Sequence, residues 1–283
     1  MNRRQFLGKS AVGMGSAMIA SQIPSFLNAA ESTKALSEPL GFQIWTIRQQ
    51  LLKDFPGTLK MMADMGYQAV EMCSPVGYGF KELIGMKGSE MKKTVEDAGL
   101  KLLSCHYSMK ELRDTADERI NWAKEAGMKQ MVIATFGLPK GAVMSDWQKA
   151  CDELNEIGAK TKKAGVQMVF HNHHGEFEKI DGVLIYDELL HRFDPDLVKM
   201  QFQVAVVSVG YKAADYFNKY PGRFISAHLA DWSATDNKMV PIGQGIVDWK
   251  ELFAAAKKCG VKNYFVEMDP ETFKDSAIYI KNL

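Results

Sequence analysis

Histidine, glutamate and glutamine side chains follow several short runs of apolar and β-branched residues. The residues at the ends of these runs are His171 and His173, Gln203, His228 and Glu267. Imidazole nitrogens, carboxylate oxygens and amide oxygens are the ligands that Mn²⁺, Zn²⁺, Co²⁺ or Mg²⁺ take in proteins. The residue types therefore predict a divalent metal site, provided that the fold brings these run ends together.

The positions of the histidines favour one shared site. Four of the six histidines stand at ends of such runs, namely His106, His171, His173 and His228. His171 and His173 share one face of a strand because strand side chains alternate, with His171 deeper and His173 nearer the rim. The sequence leaves open which of these two binds the metal. Glu71 ends a further run, and Asp231 and Asp269 follow two others.

The elements that position these side chains are eight predicted strands: residues 41–47, 68–72, 100–106, 131–135, 166–173, 198–204, 224–229 and 264–268. Helical stretches separate the strands, and five of these stretches end at a glycine: Gly66, Gly99, Gly127, Gly165 and Gly260. A glycine that adopts the left-handed conformation ends a helix. Alternating strands and helices indicate a parallel sheet.

Eight such units over residues 38–283 predict a single (β/α)₈ TIM barrel of the α/β class. No glycine-rich nucleotide loop follows the first predicted strand, which disfavours an open doubly wound sheet. In a barrel, polar side chains at the carboxyl ends of the strands face the catalytic mouth. The barrel therefore predicts that the candidate ligands on the fifth to eighth strands meet.

Composition narrows the range of partners. The chain has 283 residues and a net charge of +1, from 35 basic and 34 acidic residues. Without a basic excess to neutralise phosphates, a nucleic-acid partner is not expected. The four cysteines have no paired spacing and are predicted to be structural.

The first thirty residues resemble a twin-arginine signal peptide. Arg3 and Arg4 precede a weakly apolar stretch of small residues, and residues 28–30 offer a small-residue cleavage site. The apolar stretch falls short of the roughly 20 residues that span a bilayer, so stable membrane insertion is not expected. We expect residues 1–30 to be removed and the protein to be periplasmic or otherwise exported.

Four segments resemble the xylose isomerase-like TIM-barrel superfamily, whose members are often labelled sugar phosphate isomerases/epimerases. The segments are residues 170–177, 220–231, 241–249 and 266–269, within a resemblance that spans about residues 38 to 283. The resemblance implies one divalent metal held by four successive strands: His171 or His173, then Gln203, His228 and Glu267. Two positions depart from the pattern, because Gln203 replaces the usual aspartate and Ala230 replaces the usual lysine.

The chemistry implied by the resemblance is removal of a proton from the carbon beside a sugar carbonyl. Glu267 is the candidate for both metal ligand and base, and Glu71, His106 and Glu176 are candidates for proton delivery or hydroxyl binding. Reprotonation at the neighbouring carbon gives isomerisation or epimerisation, the first interpretation. Epimerases of this superfamily that invert a carbon often use two metal-bound glutamates, and the histidine on the fifth strand removes one of that pair, so a symmetrical two-glutamate epimerisation is disfavoured.

Two alternatives remain beside the isomerase. Loss of a β-leaving group at the same site gives a keto-sugar lyase or hydratase of the 3-keto-glycoside type. A barrel whose metal is lost through Gln203 gives a sugar-binding protein without catalysis. Trp45, Tyr78 and Trp232 are candidates for stacking on a sugar face. Export favours a free carbohydrate over a sugar phosphate, and a homodimer stays open.

Overall fold

A closed barrel of eight parallel strands forms the protein in this computed structural model, which describes residues 36–283. The barrel strands are β1 (Leu40–Gln43), β2 (Ala69–Cys73), β3 (Lys101–Tyr107), β4 (Gln130–Ile133), β5 (Gln167–His171), β6 (Val198–Gln203), β7 (Phe224–Leu229) and β8 (Asn263–Val266). Each strand pairs with its neighbours in chain order, and β8 closes on β1. The predicted TIM barrel is confirmed.

Helices connect the strands on the outside of the barrel. They are α1 (Arg48–Lys53), α2 (Phe55–Asp64), α3 (Gly88–Asp97), α4 (Met109–Glu125), α5 (Met144–Lys163), α6 (Ile185–Arg192), α7 (Ala213–Lys219), α8 (Trp249–Cys259) and α9 (Phe273–Asn282). Two short antiparallel pairs lie outside the barrel, Lys179–Ile180 with Val183–Leu184 and Asp231–Ser233 with Lys238–Val240.

Helix α8 shows how the sequence sets the ends of an element. The Asp248 carboxylate accepts a hydrogen bond from the Glu251 backbone N–H at 2.9 Å, which caps the amino end. Gly260, with φ of 96°, ends the helix in the left-handed conformation. The buried face of α8 includes Leu252, Phe253 and Ala256, which pack in the barrel's outer core layer. The five glycine-ended junctions predicted from sequence all have positive φ.

Five strands end earlier than their sequence patterns predict, and β1, β5 and β8 bear on the site. Residues 45–47 were expected to continue β1 but form a 3₁₀ turn, because the Gln43 side chain accepts a hydrogen bond from the Trp45 backbone N–H. The strand β5 ends at His171 instead of His173. The strand β8 ends at Val266, so Glu267 follows the strand. The early endings of β5 and β8 place His173 and Glu267 in the loops at the barrel mouth.

The remaining expectations about the chain have different outcomes. The proposed signal peptide, residues 1–30, lies outside the described residues. Across residues 36–283, none of the helices combines the length and apolar character required to cross a membrane. All four cysteines are buried and free, which confirms their structural assignment.

Candidate metal centre and pocket

The strand register brings the predicted side chains to one level of the barrel. Gln203 on β6 is paired with His228 on β7, and His228 is paired with Phe265 on β8, two residues before Glu267. On the opposite wall, Cys73 on β2 is paired with His106 on β3. The alternation of side chains along the strands turns these residues toward the barrel axis.

His228 lies between two carboxylates at the centre of the site. Its Nε2 is 2.5 Å from Glu71 Oε1, and its Nδ1 is 2.9 Å from Glu267 Oε2. The ring is fully buried. Burial opposes protonation, but the carboxylates of Glu267 and Glu71 raise the pKa of His228 to about 9. Without a metal, His228 is therefore an imidazolium that donates from both ring nitrogens.

Glu71 lies beneath the histidines and is fully buried. Its Oε1 is 2.8 Å from His106 Nε2, in addition to the contact with His228. Its Oε2 accepts hydrogen bonds from Ser104 Oγ and, at 3.0 Å, from Gln201 Nε2. Burial acts to raise the pKa of Glu71, but His106 and His228 hold it well below its usual range. The Glu71 carboxylate is therefore ionised and fully hydrogen-bonded inside the barrel.

His171 supplies an unsatisfied ligand atom beside His228. The side chain is buried, and its Nδ1 has no hydrogen-bond partner among the described residues. The His171 and His228 ring centroids are 4.2 Å apart. Burial, followed by the neighbouring His228, lowers the pKa of His171 well below its usual value, so its ring is neutral. A neutral imidazole with a free nitrogen is the form that binds a metal ion.

The donor set fits a divalent transition metal. Ligand atoms of His106, His171 and His228 all lie within 4.8 Å of one another, and Glu267 contacts His228 directly. Gln203 donates from Nε2 to Glu267 Oε2 at 2.8 Å, while its Oε1 accepts from the Ala205 backbone N–H at 3.2 Å. Half a turn of the Gln203 amide would present its oxygen toward Glu267 and the metal position instead.

An open pocket of about 210 Å³ lies above these residues. Its polar lining includes His106, His173 and Glu267, and its aromatic lining includes Trp45 and Tyr78. The Trp45 and Tyr78 ring centroids are 5.7 Å apart, and Trp45 is 41% exposed. His173 is exposed whereas His171 is 1% exposed, which confirms that His171 is the deeper of the two.

Three predicted carboxylates lie away from the pocket lining. Glu71 is enclosed beneath His106 and His228, as described above. Glu176 is buried and accepts a hydrogen bond from the His173 backbone N–H at 2.7 Å, which closes the loop after β5. Asp231 is buried and binds backbone N–H groups of the 243–247 loop. Trp232, a candidate for sugar stacking, also lies outside the pocket lining.

Sequence reasoning missed two polar residues of the site. Gln201 contacts both His106, through Oε1 at 3.1 Å, and Glu71. Ser104 donates to Glu71 from β3. The period of two along a strand was the available indication, since Gln201 precedes Gln203 by two residues and Ser104 precedes His106 by two.

Fold and sequence together place the chain in a known family. A family model described as a xylose isomerase-like TIM barrel matches residues 59–283, and the chain belongs to this family. The resemblance inferred from the four sequence segments is thereby confirmed. The family assignment is broad, because its relatives carry out more than one reaction.

Two of the relatives are inosose dehydratases. The protein from Geobacillus thermodenitrificans is 25% identical over 222 residues, which are 64% of this chain and 74% of that relative. The protein from Lacticaseibacillus casei is 24% identical over 146 residues, 44% of this chain. That match spans 48% of the relative, so it covers about half the relative's length.

Solved structures show the same barrel. A sugar phosphate isomerase/epimerase from Parabacteroides distasonis ATCC 8503 has a TM-score of 0.74 at 25% identity, covering 88% of this chain and 95% of that one. A structure described as the IOLI protein with a bound zinc atom has a TM-score of 0.65 at 16% identity, covering 86% of this chain and 94% of that one. The second likeness is one of fold.

The His228 site makes the stability of the metal-free protein depend on pH. The pKa of His228 is raised from 6.5 to about 9 on folding. The stabilisation is fully present below pH 6.5 and is lost as the pH rises through about 9. We expect the free energy of unfolding of chelator-treated protein to fall over this window in urea titrations. A wild-type free energy of unfolding that stays constant between pH 6.5 and 9 would contradict the assignment.

Proposed function

We propose that this protein is a divalent-metal-dependent enzyme that removes a proton beside the carbonyl group of a carbohydrate. The observation that carries the proposal is the Nδ1 of buried His171, which has no hydrogen-bond partner among residues 36–283 and lies next to His228 and Glu267 below an open pocket. We assign the metal to His171, Gln203, His228 and Glu267, with His173 facing the pocket. When bound, the ion polarises the substrate carbonyl and stabilises the negative charge that develops on its oxygen.

Glu267 is the group best placed to accept the proton from the substrate carbon. Its Oε2 accepts hydrogen bonds from His228 and Gln203, whereas its Oε1 has no hydrogen-bond partner among residues 36–283. The side chain is 15% exposed and lines the pocket. A carboxylate held by one oxygen keeps a fixed orientation while the other oxygen is free to receive a proton.

His173 is the group we assign to proton return. The residue lies at the rim, and its ring is partly withdrawn from water because it lines the same pocket as Glu267. Burial, opposed by Glu267, lowers the pKa of His173 relative to the usual value. A neutral imidazole accepts and donates a proton through its two nitrogens. His173 therefore provides a proton carrier separate from the Glu267 carboxylate.

Loss of a β-hydroxyl group from the deprotonated substrate is the reaction we favour. Two of the relatives are inosose dehydratases, and dehydration balances because the removed proton and the expelled hydroxide leave together as one molecule of water. Isomerisation by reprotonation at the neighbouring carbon is the second candidate, favoured by the isomerase/epimerase from Parabacteroides distasonis. A free carbohydrate suits the pocket better than a sugar phosphate, because its described lining contains no lysine or arginine.

The deciding experiment incubates the metal-loaded protein with keto-sugars in D₂O. Dehydration gives an unsaturated product that is detected by ultraviolet absorbance and mass spectrometry. Isomerisation gives a product of unchanged mass, apart from incorporated deuterium. Binding of the same sugars without either product, by protein that holds no metal, would leave the non-catalytic sugar-binding barrel. Competition by sugar phosphates but not by free sugars would contradict the proposed substrate class.

Replacement of Glu267 by glutamine tests the assignment of the base. We expect turnover at saturating metal to fall by about 10³-fold, since general base catalysis contributes on the order of 10² to 10⁴. Glu271→Gln is the control, because Glu271 is exposed and near in sequence. A Glu267→Gln variant that binds metal and keeps the turnover of the wild type would contradict the assignment.

A further inference from the structure

Glu71 is a buried carboxylate that the proposed reaction does not use. Both of its oxygens are occupied, by His106 and His228 on one side and by Ser104 and Gln201 on the other. It is fully buried and absent from the pocket lining. A carboxylate in this position contacts no substrate, so its role must act through its neighbours.

The charge of the proposed centre is incomplete without Glu71. Of the assigned ligands, only Glu267 is an anion, because His171, Gln203 and His228 bind a metal as neutral groups. A divalent ion with one carboxylate ligand leaves a net positive charge in a buried site, which is unfavourable unless another charge balances it. Glu71 is the other carboxylate that contacts His228.

We propose that Glu71 is the second negative charge of the metal centre and acts through His228 as a positioning residue. Glu71 Oε1 accepts the proton on Nε2 of His228, which leaves Nδ1 on the side of Glu267. A carboxylate behind a ligand histidine fixes the ring and makes the ligating nitrogen more basic. The inference rests on the proposed function, since it assumes the metal.

The variant Gln203→Asp, which introduces a carboxylate at a proposed metal ligand, gives this inference its sharpest test. If Glu71 supplies charge that a ligand aspartate would otherwise supply, Gln203→Asp should compensate for Glu71→Gln. A role in packing alone would not be rescued by a new carboxylate on β6. Ser226→Ala is the matched control, because Ser226 is a fully buried serine on β7 whose Oγ has no hydrogen-bond partner among residues 36–283, so every contact of Glu71 is kept.

The experiment measures the Zn²⁺ affinity of the full chain against a competing chelator, with thermal unfolding to verify folding. We expect Glu71→Gln to weaken Zn²⁺ binding by about 10- to 100-fold, as loss of a residue behind a metal ligand does elsewhere. Ser226→Ala should bind Zn²⁺ as tightly as the wild type, because the charge and the hydrogen bonds of Glu71 are kept. The Gln203→Asp/Glu71→Gln double variant should bind Zn²⁺ at least about tenfold more tightly than Glu71→Gln alone.

Two results would overturn the inference while leaving the proposed function intact. One is a Glu71→Gln variant that binds Zn²⁺ as tightly as the wild type. The other is a weakened variant that Gln203→Asp does not restore, which would reduce Glu71 to a packing role. Wild-type protein that takes up no Zn²⁺ would instead overturn the proposed metal enzyme, and this inference with it.

Discussion

The His228→Ala variant is expected to lose the bound metal and to unfold at much lower urea concentration than the wild type. The substitution removes a ligand and the cation that lies between Glu71 and Glu267. Both carboxylates then remain in the barrel without their shared partner. Breaking a buried ion pair in this way costs about 3–5 kcal/mol of folding free energy.

The loss of stability in His228→Ala should depend on pH. A buried carboxylate without a cation has a raised pKa, because burial disfavours the charged form. The folded variant then binds a proton more tightly than the unfolded chain does. Its stability is therefore greatest at acidic pH and declines as the pH rises above the ordinary glutamate range. We expect the deficit to grow between pH 5 and pH 6.5, the range in which the His228 contribution of the chelator-treated wild type is still complete.

Metal analysis and urea unfolding of chelator-treated samples test both parts of this prediction. His174→Ala is the matched control, because His174 is exposed and its ring contacts Ser208 at the barrel rim. The control should keep its metal and change stability by no more than about 0.5 kcal/mol. Equal metal content in the two variants would contradict the placement of His228 at the centre.

The fold was predictable because each repeating strand–helix unit can be recognised from a short stretch of sequence. Helices that end at glycine and lead into apolar strands recur along the chain. Gly66 follows the last turn of α2 and Gly260 ends α8, and both adopt the left-handed conformation. The failures occur where a side chain interrupts a strand pattern. Gln43 binds the Trp45 backbone and turns the chain into a 3₁₀ segment, although residues 45–47 are aromatic or β-branched.

The residue types of the candidate site were predictable, but which of its residues lie beneath the histidines was not. His171, His228 and Glu267 were recognisable because each follows a strand-like run. The separate layer of Glu71, Ser104 and Gln201 depends on how far each strand rises within the closed barrel. The β2–β3 pairing, for example, shifts register between Val70 and Glu71, an irregularity without a local sequence pattern. The role of Glu71 therefore emerges only from the assembled barrel.

Asp231 illustrates the same limit, because its position after β7 suggested a place in the mouth. The structure instead surrounds its carboxylate with donors from the following loop. Oδ2 accepts from the backbone N–H groups of Gly243 and Gly245 and from Trp249 Nε1. Oδ1 accepts from the Val247 N–H at 3.2 Å and from the adjacent backbone N–H. Asp231 thus fixes the loop that leads from β7 to α8.

Asp231→Ala is therefore expected to destabilise the protein by about 3–5 kcal/mol, with a metal affinity close to that of the wild type. Each buried donor that loses its acceptor costs about 1–3 kcal/mol, and exposure of the loop to water recovers part of that sum. The side chain is 1% exposed, so water cannot replace it without movement of the loop. Limited proteolysis should then cut within residues 241–247.

The close packing of this loop makes the prediction specific. A Cβ atom at Gly245 would lie 2.1 Å from Asp231 Oδ1, so the loop has formed around the carboxylate. Asp236→Ala is the control, because Asp236 is exposed in the neighbouring turn, and it should change stability by no more than about 0.5 kcal/mol. If Asp231→Ala instead lost its metal while keeping wild-type stability and protease resistance, Asp231 would belong to the metal centre. The described contacts favour the loop.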